Sequence, residues 1–215
     1  KWTAELKERY AGCNVCRVSA DGAQKFVKTG LWRWWHPNGE LEREGVFSED
    51  QAHGPWREYN RQGKLTLSGQ YEHGDRVGVW RGYYPEGQLQ YQGHFNANGG
   101  EEGEWITYHQ GNQIESRGVY TNGLREGLWL WWSQTGSLQQ LGRFESIKDQ
   151  SKSESTEAKE SATLADIGHK SVDQAKEHRV GLWLSWHDNC QIRTSGRYET
   201  GKREGKWRWW KRDGS

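Results

Sequence analysis

Methionine is absent from all 215 residues, and proline, cysteine and phenylalanine number only 3, 3 and 4. Three cysteines are too few for a disulfide-stapled scaffold. Leu, Ile, Val and Phe together make up about 15% of the chain, too little for an ordinary aliphatic core. Thirty basic residues face 29 acidic ones, a formal charge of +1. No global field therefore draws nucleic acid or an anionic membrane. No apolar run approaches the length of a membrane span, so an integral membrane protein with a spanning helix is excluded. The compartment stays open between the cytoplasm and export, the periplasm included. P-loop, G-x-S-x-G and H-E-x-x-H motifs are missing, and no carboxylates pair at a distinctive spacing. No catalytic residue, no cofactor and no enzymatic activity are expected. Residue 1 is Lys rather than Met, which predicts chain upstream, lost by signal-peptide removal, by trimming or through an incomplete reading frame.

What is present is aromatic: 15 Trp and 9 Tyr, with 28 Gly. Gly-x-Trp recurs seven times, from Gly30, Gly54, Gly78, Gly103, Gly127, Gly181 and Gly205, in steps of 24, 24, 25, 24, 54 and 24 residues. A fixed period in the twenties marks a repeat protein whose units stack on their neighbours. Counting each unit from its leading Gly as offset 0, offset 2 is always Trp and offset 5 always Trp or Tyr. Offset 11 is Leu or Ile, offset 15 is Gly and offset 17 is Phe or Tyr in the six complete units.

Offsets 8 and 9 carry turn residues such as Asn38-Gly39 and Glu86-Gly87, so a two-residue hairpin turn is expected there. Facing positions then sum to 17. The offset-2 Trp lies opposite the offset-15 Gly and covers it, and the offset-0 Gly makes room for the offset-17 ring. Offsets 2, 11, 15 and 17 fall on one face, and offset 5 on the other. There it is flanked at offset 3 by Arg33, Arg57, Arg81 and Arg208, or by Ile106, Leu130 and Leu184. This second row either packs along the array or binds a partner. As the candidate binding face it comprises Arg33, Trp35, Arg57, Tyr59, Arg81, Tyr83, Tyr108, Trp132 and Trp186. Three further Trp at offset 4, Trp34, Trp131 and Trp209, are either a contact patch or added core. Unit seven lacks a second strand and stops at Gly214-Ser215. Missing downstream sequence explains this better than an open edge built for strand addition.

Residues 1–29 depart from the pattern and read as an atypical N-terminal cap, either a capping segment or a decayed repeat. Repeats one to five fill 30–145, a polar insertion 146–179, and repeats six and seven 180–215. The insertion, rich in Ser, Glu, Lys and Ala, reads as a solvated loop with short helix around Thr156–Asp166, or as a docking element. Cys13 and Cys16 form a lone CxxC. It is read as inert thiols or a local disulfide, as half a metal site completed by upstream residues, or as a redox pair; no complete metal site is expected. Cys190 replaces a turn glycine. His36, His109 and His187 recur at offset 6 as polar strand-end residues.

Units such as GLWRWWHPNGELEREGVF and GLWLWWSQTGSLQQLGRF, often followed by a further Gly (Gly74, Gly123, Gly201), resemble the MORN repeat family, most of all its bacterial variant. The resemblance implies an all-β, elongated, single-layer antiparallel array of tandem β-hairpins. It also implies a non-enzymatic scaffold that binds another protein. Alternative roles are a carbohydrate- or lipid-headgroup-binding module, or the antitoxin of a toxin–antitoxin pair.

Overall fold

A computed structural model describes residues 10–18, 24–147 and 176–215. Fourteen strands follow one another: β1 (Tyr10–Val18), β2 (Gln24–Trp35), β3 (Leu41–Ser48), β4 (Gln51–Tyr59), β5 (Leu65–Glu72), β6 (Asp75–Tyr83) and β7 (Leu89–Phe95), then β8 (Glu101–Tyr108), β9 (Ile114–Thr121), β10 (Leu124–Trp132), β11 (Leu138–Ile147), β12 (Lys176–Trp186), β13 (Ile192–Glu199) and β14 (Lys202–Trp209). They lie in chain order in a single antiparallel sheet. The fold is all-β, built from tandem hairpins, as the repeat pattern implies. β1 pairs with β2 along Cys13–Val18, so the N-terminal segment extends the same sheet.

The register matches the sum-of-17 rule from offset 0 to offset 4. In unit one Gly30 faces Phe47, Trp32 faces Gly45 and Trp34 faces Arg43. The turn differs from the two-residue expectation. His36 N–H donates to Glu40 O at 2.8 Å and Gly39 N–H to His36 O at 2.9 Å, closing a three-residue loop with Gly39 at φ 88°. Pro37, and Pro85 in unit three, sit at the second turn position, where the ring already has the φ of a type I turn. The added residue is absorbed by a bulge at Glu42, since Trp35 faces Leu41 while Trp34 faces Arg43. The two irregularities cancel below offset 5. Offset 11 therefore pairs with offset 5 and turns to the second face, correcting its expected place beside the offset-2 Trp. Two-residue turns with both φ positive occur between units instead, at Glu49-Asp50, His73-Gly74, Asn122-Gly123 and Thr200-Gly201. Between units three and four Phe95 pairs with Glu101, and one extra loop residue accounts for the 25-residue step.

The ladder face carries the core. Rings at offsets 2 and 17 alternate in an edge-to-face series, with centroids from 5.0 Å (Tyr71–Trp80) to 6.4 Å (Trp129–Phe144) apart. Each such pair adds roughly 0.5–1.5 kcal/mol beyond its area burial, so rings supply what aliphatic residues do not. Trp80 is 0% exposed. The cover on each offset-15 glycine comes from the following unit, not from its own. A Cβ on Gly69 would lie 2.1 Å from the Trp80 ring, and one on Gly93 2.1 Å from Trp105. The leading glycine has a different reason from the one expected. A Cβ on Gly78 would meet nothing within 4 Å, but its φ is +65°. It sits where the inter-unit ladder is bulged, between Ser68–Arg81 and Gln70–Val77. The bulge leaves a carbonyl for the indole: Trp80 Nε1–H donates to Gln70 O at 3.1 Å and Trp129 Nε1–H to Val119 O at 3.2 Å. Cations at offset −2 cap the rings, Arg76 lying 4.5 Å over Trp80 and Arg203 4.6 Å over Trp207.

The insertion does not break the sheet. Phe144 pairs with Arg179 and Glu145 with His178 as in other units, and two further pairs, Ser146–Glu177 and Ile147–Lys176, lengthen the hairpin. Ring contact continues across it, Phe144 to Trp183 at 5.3 Å. Replacing residues 148–175 with Asn-Gly is expected not to lower the thermal midpoint, because that dipeptide closes a two-residue hairpin directly. The expected helix around Thr156–Asp166 lies outside the described residues.

A second bond system spans this junction. Arg125 of β10 reaches over β11 to Glu177 of β12. Its backbone N–H and Nε each donate to the carboxylate at 3.0 Å, NH2 donates as well, and the guanidinium lies 4.0 Å over Phe144. Hydrogen bonding from Arg125 holds the Glu177 carboxyl below its ordinary range, against an opposing effect of burial. A folded-state pKa below the unfolded one gives stability that is present above ~4.3, the unperturbed glutamate value, and is lost as pH falls through the folded pKa. Glu177→Gln is therefore expected to lower the midpoint at neutral pH, with the gap to wild type closing in acid; midpoints measured across a pH series check this.

Candidate interaction face

With the ladder face occupied by its own rings, the opposite, open face holds offsets 1, 3, 5, 11, 14 and 16. Trp35, Tyr59, Tyr83, Tyr108, Trp132 and Trp186 all lie there, each half-buried. Side chains at offset 6 of the preceding unit bond the backbone carbonyls of three of them. His36 Nε2–H donates to Tyr59 O at 2.8 Å, His109 to Trp132 O at 2.8 Å, and Tyr84 Oη–H to Tyr108 O at 2.7 Å. His187 does the same to Trp210 O at 3.0 Å. The carbonyl can only accept, so Nε2 of each histidine carries its proton. Offset 6 thus clasps adjacent units at Tyr59, Tyr108, Trp132 and Trp210. Among the described residues no ring-to-ring contact joins successive members of the aromatic row, unlike the ladder.

Arg33, Arg57 and Arg81 are exposed on the same face. Glu44, at offset 14, takes Arg33 Nε and Arg57 NH1, both at 3.2 Å, bridging units one and two. Burial first, and the Glu44 charge second, push the Tyr59 hydroxyl above its ordinary pKa, so it remains a hydrogen-bond donor at neutral pH. Arg117 pairs with Glu104 in unit four. Cation–π stacking involves the offset −2 and offset 13 cations of the ladder face, and none of the offset-3 arginines. Shallow grooves run between hairpins on the open face. One is lined by Leu31, Arg33, Glu44, Val46, Pro55 and Arg57, and another by the corresponding residues of units three and four.

The three offset-4 tryptophans separate. Trp34 is buried in the ladder under Arg43, against Trp32, Phe47 and Trp56. Trp131 stacks on Trp183 at 6.0 Å. Trp209 is 60% exposed. Cys13 and Cys16 lie on β1 opposite Thr29 and Phe26; their side chains fall outside the described ones. Cys190 is an exposed free thiol at φ 64°. Among the described residues no group of three or more His, Cys, Asp or Glu could hold a metal ion, and no helix is long and apolar enough to cross a membrane.

Two features escaped the sequence reading. The cations at offset −2 were legible, since Lys28, Arg76, Arg125, Arg179 and Arg203 share that position. The apolar residues at offset 1 were not: Leu31, Val79, Leu128 and Leu182 look like core residues, but stand exposed on the open face.

Fold and site together define a β-hairpin repeat array, one face closed by rings and the other left to solvent. Within that class, the MORN repeat variant model matches residues 28–49, 76–97 and 101–122, so these three units are similar to MORN repeats. No curated protein matches the chain. Two solved structures share limited likeness. One is an S. aureus TarM mutant in complex with fondaparinux, alpha-GlcNAc-glycerol and UDP; it is 8% identical at a TM-score of 0.31, over 53% of this chain and 21% of that one. The other is a TcdB2–TccC3–Cdc42 complex, 11% identical at a TM-score of 0.25, over 89% of this chain and 9% of that one. The chain thus spans a small part of each.

Proposed function

We propose that the protein is a non-enzymatic repeat scaffold that binds another protein through its open face. The row Trp35, Tyr59 and Tyr83, with Arg33, Arg57 and Arg81, is the contact line. The observation that carries this reading is the division between faces. One set of rings is consumed in edge-to-face packing, while the other is half-buried, regularly spaced and, at Tyr59, Tyr108 and Trp132, clasped by the preceding unit. Rigid aromatics beside guanidiniums are the residues that dominate binding energy at protein interfaces. MORN repeats serve as protein- or lipid-interaction modules, which agrees with this assignment.

The test is a triple variant, Trp35→Ala with Tyr59→Ala and Tyr83→Ala. Capture of partner proteins by chemical cross-linking is expected to vanish, while near-UV circular dichroism retains the ladder signal. Loss of that signal would make the row core and end the proposal. Binding to a glycan array or to liposomes, with no cross-linked protein, would replace it with the carbohydrate- or lipid-headgroup reading.

A further inference from the structure

The open face changes character along the array. In units one to four, three of the four arginines on this face are neutralised within it, Arg33 and Arg57 by Glu44 and Arg117 by Glu104, while Arg81 faces Ser68 and Gln92. In unit five the offset-3 and offset-14 positions are both leucine, and in unit six offset 3 is leucine while offset 14 is Ser195. Leu130 faces Leu141 in β11, which faces Leu184 in β12, giving an unbroken apolar row over three strands. The row beside it alternates. Leu128 (52% exposed) pairs with Arg143, and Leu182 (50% exposed) pairs with Arg197. Arg143 has Leu128 on one side and Val180 on the other, so neither register neighbour is a carboxylate. Arg197 has Glu204 across from it, but among the described residues no ion pair joins the two.

We infer that this patch docks an amphipathic helix with an acidic flank, supplied by a partner protein; this rests on the open face being the interaction face. Charge and spacing carry it. The apolar row needs a covering apolar stripe, and guanidiniums left without carboxylates need anions beside that stripe. Leu128 and Leu182 lie two strands apart, ~9.6 Å, as do Arg143 and Arg197. Residues seven apart on a helix rise ~10.5 Å. A helix laid across the strands thus brings leucines at i and i+7 over the leucine row and places two carboxylates, also seven apart, at the two arginines.

The probe is a fluorescein-labelled, alanine-based helical peptide of about 15 residues, with leucines along one stripe and glutamates along its flank. Companion peptides carry lysine for glutamate, or serine for leucine. Fluorescence anisotropy on the full chain is expected to show binding of the glutamate peptide alone. Arg143→Glu with Arg197→Glu should weaken it by about tenfold or more and admit the lysine peptide. Arg61→Glu with Lys64→Glu, the same charge change on a distant turn, should leave it unaltered. No binding of the glutamate peptide, equal binding of the lysine peptide, or equal loss in the distant variant would overturn the inference. The two proposals fail separately. Loss of cross-linked partners in the Trp35, Tyr59 and Tyr83 variant, with peptide binding unaffected by the Arg143 and Arg197 reversal, keeps the wider reading and removes this one.

Discussion

Gly142→Ala is expected to destabilise the protein by about 3 kcal/mol, the upper part of the range for overpacking a filled site. The added Cβ would lie 2.2 Å from the Trp183 ring. That ring cannot move aside. It is held edge-on by Phe144 at 5.3 Å and Tyr198 at 5.6 Å, and stacked on Trp131 at 6.0 Å. The matched control is Gly127→Ala, where a Cβ meets nothing within 4 Å and only the φ of +67° resists it. That cost is roughly 1–2 kcal/mol. Urea unfolding of both variants checks the order. Equal losses would mean that conformation, rather than contact with the next unit's ring, selects the offset-15 glycine.

Trp80→Ala is expected to cost about 3–5 kcal/mol, the range for deleting a large buried aromatic. Trp80 is the fully buried side chain of the ladder, between Tyr71 at 5.0 Å and Phe95 at 6.2 Å. Its removal also bares the backbone of Gly69 and frees Gln70 O. Trp80→Phe keeps a ring but loses the Nε1–H bond, which is worth about 1 kcal/mol. Trp209→Ala, at 60% exposure, should shift stability by no more than about 0.5 kcal/mol, as surface changes do. The series separates ring burial from the indole hydrogen bond on one unfolding assay.

How far these features were legible depends on what each residue states about itself. Gly-x-Trp at a 24-residue step declared a repeat of hairpins, and pairing Trp with Gly placed the offset-2 ring on a glycine. The sequence could not say which glycine, because Gly45 stands in register with both Trp32 and Trp56; the ring's lean toward the earlier unit decides it. The turn was misplaced because Asn38-Gly39 suits two turn types. Pro37, whose ring fixes the φ of a second turn position, is the cue for the type I loop. That one-residue difference moved Leu41 to the opposite face. The candidate rows at offsets 3 and 5 were visible from their chemistry, but Glu44, which holds two of the arginines, was not, since offset 14 varies from unit to unit. The exposed leucines were hidden by the usual assumption that leucine is core. In a sheet where aromatics fill one face, leucine on the other has nothing to bury against.

The division of faces depends on the ladder closing from each unit onto the one before. A double-mutant cycle measures this directly: Gly93→Ala combined with Trp105→Leu, against Gly93→Ala combined with Trp80→Leu. A coupling of roughly 1–3 kcal/mol is expected for the first pair, because the smaller side chain vacates the space the new methyl needs. The second pair should be additive within about 0.5 kcal/mol, because the Trp80 ring lies over Gly69. Equal coupling in both pairs, or the larger value for Trp80, would place each ring on its own unit's glycine and contradict the inter-unit ladder.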